Sequence, residues 1–442
     1  MSEKCPTKKQ STVRHTRAIQ RDRRVRPAVA PSAPQVEARL AEVVHPATLA
    51  QVAAFHDRGL RERVLTLPVM VAFVLSLLWR QLGSVAEAVR VLTAEGVLWA
   101  DPLAVSRQAV SERLRRLPAA LFERVLTDVL PQMEARWAAR HRPLPPALSW
   151  ARAHFAAVVA LDGSTLDALL RKVGLLRAAE KPPLAGRMAA LLDVVTRLPR
   201  QVWYEEDPQA HDQRCWDRVV ATLARGTLLL VDLGFLNYAH FDDLTDRGVW
   251  FLTRAASTAA YRTERVLHAA ADRHDLLIRL GSRADHRCAH PMRLIEVQYQ
   301  GRWYRYLTNI TDPQRLPAEY VVALYAERWR VEDAFNAAKR LLGLAYFWTG
   351  AANGVQVQVW ATWLLYAVLI DLTDAVAEAL QQPVAALSLE MVYRGLYHFT
   401  QAFHRGDADD PVAYLAAHAT PLGILKRPRR PATRALTRGH DP

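Results

Sequence analysis

"FAAVVALDGSTL", residues 155–166, opens as an apolar, partly β-branched run and meets a carboxylate at Asp162. "TLLLVDLGF", residues 227–235, repeats the design: a wholly apolar run, as expected of a strand buried on both faces, stops at Asp232. Between them, "RMAALLDVVTRLPRQVWYEED" predicts two strands joined by a tight turn at Leu198 and Pro199, and "HDQRCWDRVVATLARG" predicts a helix closed by Gly226. Helical "YAHFDDLTDRG" and the strand "VWFLTRA" follow. Three meandering strands, a helical crossover to a buried strand, a helix and a further strand describe an α/β chain with a mixed sheet and helices packed on it. A carboxylate at the end of such a strand lies on no surface face and costs several kcal/mol to bury unpaired. Strand ends of α/β sheets are also where sites gather. One such Asp is commonly a loop cap; two require more.

A third carboxylate lies in "YAERWRVEDAFNAAKRLLGL", residues 325–344, which reads as a continuous helical run with Ala, Leu and Phe at core spacing. Tyr325, Arg328, Glu332 and Lys339 interrupt it at offsets that fall within an arc of roughly 60° at about 100° per residue. A phenol, a guanidinium, a carboxylate and an ammonium share one stripe. A solvated face with a Glu332–Arg328 pair at i,i+4 spacing would give the same letters but leaves Asp162 and Asp232 unexplained. Three carboxylates with no obligatory His or Cys form a hard-oxygen ligand set, suited to Mg²⁺ or Mn²⁺ rather than zinc. Two such ions about 3.5–4 Å apart activate a water or hydroxyl and stabilise the leaving oxygen of a phosphodiester.

"LDGSTL", "VDLGF", "FLTR" and Tyr325-x2-Arg328-x3-Glu332-x6-Lys339 resemble the DDE insertion-sequence transposases that carry a Y-R-E-K signature. The last motif matches that family's spacing at every step; the others are short but stand in the required order. One letter departs: Leu233 stands where the family often has Arg after the second Asp. The resemblance covers roughly residues 149–380. It implies a ribonuclease-H-like catalytic domain with a mostly β insertion at about 258–318, which "LIEVQYQGRWYRYLTNIT" fits by its alternation. It also implies Asp162, Asp232 and Glu332 as a metal-binding catalytic triad for two Mg²⁺, with Mn²⁺ able to substitute, and Arg328, Lys339 and Tyr325 as phosphate contacts. The implied activity is hydrolysis at the ends of a mobile element followed by transesterification into target DNA. The implied partners are double-stranded DNA (terminal inverted repeats and target) and a second copy in a synaptic homodimer, in a prokaryotic cytoplasm at the nucleoid. A related nuclease that does not transpose, and a catalytically inactive DNA-binding or regulatory descendant, are the rival readings.

Charge placement agrees with a DNA partner. The formal charge is +14. From Met1 to Arg26 nine Lys/Arg stand against two acids, a net +7; from Lys426 to Pro442 six stand against one, a net +5. The tails thus hold +12 and leave about +2 for everything between. Polar and pattern-free, they predict disordered polybasic arms over 1–36 and 426–442, suited to phosphate backbones or merely to solubility. Residues 37–148 read as an all-helical N-terminal domain for DNA binding or dimerisation, with Ser84 and Ser106 as caps. Its "SVAEAVRVLTAEGVLW" and "VSRQAVSERLRRLPAALFERVLTDVL" form either a helix-turn-helix about the Gly96–Pro102 turn or an amphipathic bundle with a basic face. "HRPLPPALS", 141–149, is the expected linker, and 381–425 a C-terminal helical region. The apolar stretch Val64–Trp79 is short of the roughly 20 residues a spanning helix needs. "VWATWLLYAVLIDL" is shorter and ends at Asp371, so both predict buried helices. The amino terminus has no apolar core segment of a secretory signal. Cys5, Cys215 and Cys288 are too few and scattered for a disulfide framework.

Weaker candidates remain. Arg254, after "FLT", matches a position where the family brings a basic residue to DNA, or is a surface arginine. Trp303 and Tyr304 lie where relatives that cut through a hairpin stack an aromatic on a flipped base, or are ordinary strand aromatics. His286, Cys288 and His290 alternate on one expected strand without the second cluster a zinc site needs. Trp360, Trp363 and Tyr366 are read as core.

Overall fold

The computed structural model describes residues 34–60, 63–166, 186–207, 215–235, 237–256, 258–281, 287–299, 301–344, 347–348 and 352–426. Nearly all of both expected basic arms, and His286, lie outside these residues. Helices come first: α1 Pro34–Leu49, α2 Val52–Asp57, α3 Leu67–Trp79, α4 Val85–Ala94, α5 Arg107–Arg116, α6 Ala119–Ala139 and α7 Pro146–His154. Ser84 and Ser106 cap α4 and α5 as the sequence predicts, each hydroxyl accepting a backbone N–H three residues on. The twelve residues 95–106 that join the two helices are far more than the three or four of a helix-turn-helix. α5 buries Val110 and Leu114 against its neighbours and leaves Arg107, Arg115 and Arg116 exposed, so the bundle with a basic face describes it.

The sheet follows: β1 Val158–Thr165, β2 Arg187–Asp193, β3 Pro199–Glu205, then helix α8 Trp216–Thr222, β4 Leu228–Val231, α9 Tyr238–Asp246 and β5 Trp250–Arg254. Four more strands, β6 Tyr261–Ala269, β7 Arg273–Leu280, β8 Met292–Tyr299 and β9 Arg302–Thr308, occupy the expected β insertion. All nine form one mixed sheet, ordered β3-β2-β1-β4-β5-β9-β8-β7-β6. β1 runs parallel to β4, and β4 to β5; the remaining pairs are antiparallel. The added strands therefore extend the central sheet instead of forming a separate layer. The β2–β3 turn closes at 194–198, with Arg197 in the left-handed region (φ 63°), so Pro199 belongs to β3 and pairs with Leu192.

Alternation sorts the strands between two cores. Val159, Leu161, Leu229, Val231 and Phe251 pack with Trp216, Val219, Phe241 and Leu244 of α8 and α9. Val158, Ala160, Leu228, Leu230 and Leu252 face the other way, into a core continuous with the N-terminal helices and with α12, Ala352–Ala379. Side chains so buried contribute about 1.5–3 kcal/mol each, which is why both strands read as unbroken apolar runs.

α12 carries on past the end of the apolar run at Asp371 to Ala379; Arg136 and Arg140 pair with Asp371 and let its carboxylate stay buried. It is long and apolar enough to cross a membrane, yet 83% of its most apolar window is buried inside the fold. The run from Tyr325 is not one uniform helix. α10, Ala318–Ala326, passes through a turn tightened by i→i+3 bonds into α11, Trp329–Asn336, which opens into a π turn over Ala337–Leu341. Two further helices, α13 Leu389–His404 and α14 Pro411–Ala417, complete the described fold.

Candidate active site

β1 does not stop at Asp162. Its ladder with β2 continues to Thr165, whereas its pairing with β4 ends at Leu161 opposite Val231. The next residue on each strand is an aspartate. Asp162 and Asp232 thus follow the last rung of a parallel pair, side by side where β1 and β4 part. By alternation Asp162 shares the face of Val158 and Ala160, the face that α11 covers. Ser164 lies on that face as well.

Glu332 comes from α11, in its first turn. Arg328, just before that helix, joins it to the sheet: Nη2 donates to Glu332 Oε1 at 3.0 Å, and Nη1 lies 3.6 Å from Asp162 Oδ2. The i,i+4 pair expected of a plain helix face does form, but it extends to the strand aspartate. Arg328 is only 7% exposed. Burial works against its charge, but Tyr325, Asp162, Asp232 and Glu332 together outweigh that and raise its pKa. Burial likewise pushes the Glu332 carboxyl upward; Arg328 opposes this, and the negative Asp232 adds to it. Asp162 and Glu332 therefore flank one guanidinium, and Asp232 lies near enough to act electrostatically on both Arg328 and Glu332.

Lys339 reaches the same strand from the π turn. Its Nζ donates to Ser164 Oγ at 2.5 Å and to the Thr165 carbonyl at 2.6 Å. The turn before α11 is over-wound and the one after it under-wound, so the four residues do not follow one uniform helical pitch. Tyr325 is buried, its hydroxyl pushed up to about 12 chiefly by that burial, and its ring meets Tyr306 edge-on at 5.5 Å.

Arg254 stands opposite Tyr306 on β9 and lies over the Tyr304 ring at 5.6 Å, which carries the polar track from the carboxylates across the sheet. Trp303 is not part of it. One position away on the strand, it turns to the opposite face and stacks on His274 at 4.6 Å. Sequence reading missed Ser164 and Tyr306; the period-two alternation from Asp162 and from Tyr304 was the available signal. Cys288 and His290 lie outside the strands, and His290 is bonded to Asp246; His286 lies outside the described residues. Trp360, Trp363 and Tyr366 are buried core, as expected.

Among the described residues no three His, Cys, Asp or Glu side chains are disposed to hold a metal as they lie. The donor set nevertheless suits a hard divalent cation in kind, and the group now among the three carboxylates is itself a cation. Among the described residues, Arg328 Nε is buried with no hydrogen-bond partner, so its grip there is incomplete.

Residues 174–368 match the family model described as Transposase DDE domain. That range takes in Asp232, Glu332 and the whole polar track, and begins just after Asp162. A curated relative from Sinorhizobium fredii (strain NBRC 101917 / NGR234), named "Putative transposase y4zB", is 27% identical over 151 residues. The match covers 33% of this chain and 42% of the relative, so the chain spans about two fifths of that relative's length. A cryo-EM structure of the piggyBac transposase synaptic complex with hairpin DNA aligns over 91% of this chain and 87% of its own. Its TM-score is 0.40 at 11% identity, too distant to bear on the fold. The family match thus covers the sheet from β2 onward, with α8 to α11 and the first part of α12.

Proposed function

We propose that the chain is a DNA transposase of the DDE class, in the branch with the Y-R-E-K signature, and that its sheet is ribonuclease-H-like. The observation that carries this is the placement of Asp162 and Asp232 side by side beyond the last β1–β4 rung, with Glu332 tied to Asp162 through Arg328. The order β3-β2-β1-β4-β5, with two antiparallel and two parallel pairs, supports the sheet assignment.

Asp162, Asp232 and Glu332 would hold divalent metal, Mg²⁺ with Mn²⁺ as substitute. When bound, such ions supply activation of a water or a DNA 3′-hydroxyl and stabilisation of the leaving oxygen. The chain's own residues do the rest. Lys339, fixed to Ser164, places an ammonium beside the scissile phosphate. Arg254 and Tyr304 extend the contact along the backbone, and Tyr325 offers a hydroxyl whose raised pKa keeps it a hydrogen-bond donor. Double-stranded DNA is the partner, as element ends and as target. Two ends cut and joined together call for two copies of this site, hence a homodimer working at the nucleoid.

The test uses the DNA flanking the coding region as substrate, with purified full chain and Mg²⁺. Expected are nicks at the element termini and joining of the freed 3′-ends to a target plasmid. Asp162→Asn, Asp232→Asn and Glu332→Gln should each abolish both while end binding survives. Cleavage by any of these variants removes that residue from the site. Cutting without joining makes the protein a nuclease, and binding without any metal-dependent nicking makes it an inactive DNA-binding descendant.

A further inference from the structure

Arg328 holds an unusual position for a residue whose expected work is to grip DNA. It is buried among carboxylates, spending both terminal nitrogens on Glu332 and Asp162. Its Nε, buried without a partner among the described residues, gains nothing from this arrangement. Two aromatic rings border the guanidinium: Tyr325 at 5.9 Å on the buried side, and Trp329 at 5.0 Å, which is 51% exposed. The Trp329 face leads outward to solvent, a surface along which a planar guanidinium moves while keeping its cation–π attraction.

We propose that Arg328 is a resident counter-ion of the triad: it occupies the carboxylates in the metal-free protein and leaves Asp162 and Glu332, outward along Trp329, when a divalent cation binds. This rests on the triad reading above. Two cations directed at the same two carboxylate oxygens repel each other, and the oxygens that would ligate an ion are now turned to the guanidinium. That accounts for a hard-oxygen donor set which, with its side chains as they lie, is not disposed to hold a metal. It also gives the metal-free site a cation of its own, so three neighbouring carboxylates need not repel one another while the fold waits for its ion.

The test is a Mn²⁺ titration of the metal-stripped full chain by calorimetry. Arg328→Met should bind Mn²⁺ about tenfold more tightly than the natural protein, the lower end of what an adjoining guanidinium takes from a carboxylate's affinity for a competing cation. The gain should vanish when Asp162→Asn is added. Equal or weaker Mn²⁺ binding by a folded Arg328→Met protein overturns the counter-ion role. If the natural protein and Asp162→Asn bind Mn²⁺ alike, the triad reading itself is lost. A second readout does not require Arg328 to be changed. Mg²⁺ should shift the tryptophan emission of the natural protein, and Trp329→Phe should remove most of that shift. A shift unchanged in Trp329→Phe, or none in the natural protein, overturns the outward movement.

Discussion

Ser164 shows how a side chain with no chemistry of its own can govern one that has it. Its hydroxyl receives Lys339, so the ammonium's position is referred to the strand that carries Asp162. Ser164→Ala should lower strand joining by about tenfold, on the scale that small misplacements of catalytic groups cost. It should leave the melting temperature and end binding nearly unchanged, measured by circular dichroism and gel shift. The buried pair Arg293–Asp275 is the opposite kind of residue. It links β8 to β7, while Arg293 Nη1 also donates to the Leu316 carbonyl ahead of α10. Asp275→Ala leaves a guanidinium buried and uncompensated and should cost about 3–5 kcal/mol in urea unfolding. Arg394→Ala, which breaks an exposed pair with Glu390, should cost about 0.3–0.5 kcal/mol. Cys288 is pushed up to about 12 by burial, with Asp242 adding and Arg279 opposing. It should therefore stay a thiol near neutral pH and resist iodoacetamide in the native protein, read by mass spectrometry of the peptide.

At the scale of elements, what was legible followed local rules. Ser84 and Ser106 cap where a side-chain oxygen before an apolar-periodic run must cap, and the run ending at Val231 is a strand because nothing polar interrupts it. The errors came where a partner overrode the local signal. Asp162 looked like a strand end because β1 does lose β4 there, but the letters do not reveal that β2 continues alongside. Asp371 ends the apolar run in the letters, and the two arginines that let the helix continue past it lie more than 200 residues earlier. The tightened and widened turns around α11 left no mark in the apolar spacing, which stays compatible with a continuous helix across them. Asn353 is a further non-local device: from the start of α12 its amide donates to the carbonyls of Leu114, Arg115 and Leu117 and accepts from Ala119 N–H. It closes the end of α5 and the beginning of α6 at once. Asn353→Ala should destabilise by about 1–3 kcal/mol, because it orphans several backbone groups together.

For the whole molecule, the N-terminal helices and the sheet share one apolar core, from Val36 through Leu192 and Leu252 to Ile424. The segment read as a proline-rich linker is fastened down: His141 N–H donates to Glu378, and Arg142 pairs with Asp374, both on α12. Burial raises the Asp374 carboxyl's pKa despite the opposing Arg140 and Arg142, which marks how deeply that ion network is set. The sequence located the change from helical to alternating pattern, but apolar periodicity does not say against what a helix packs. Calorimetry of the full chain should show one cooperative transition, and residues 37–148 expressed alone should not give a cooperatively melting domain.

The separation of β1 from β4 right after their last rung has a consequence for how such a chain can vary. Side chains alternate, so gaining or losing a single residue within 158–161 or 228–231 would swing Asp162 or Asp232 through the sheet to the wrong side. Swapping one aliphatic residue for another leaves that parity untouched. Descendants of this protein should therefore drift freely in the letters of these two short stretches and hardly ever in their length.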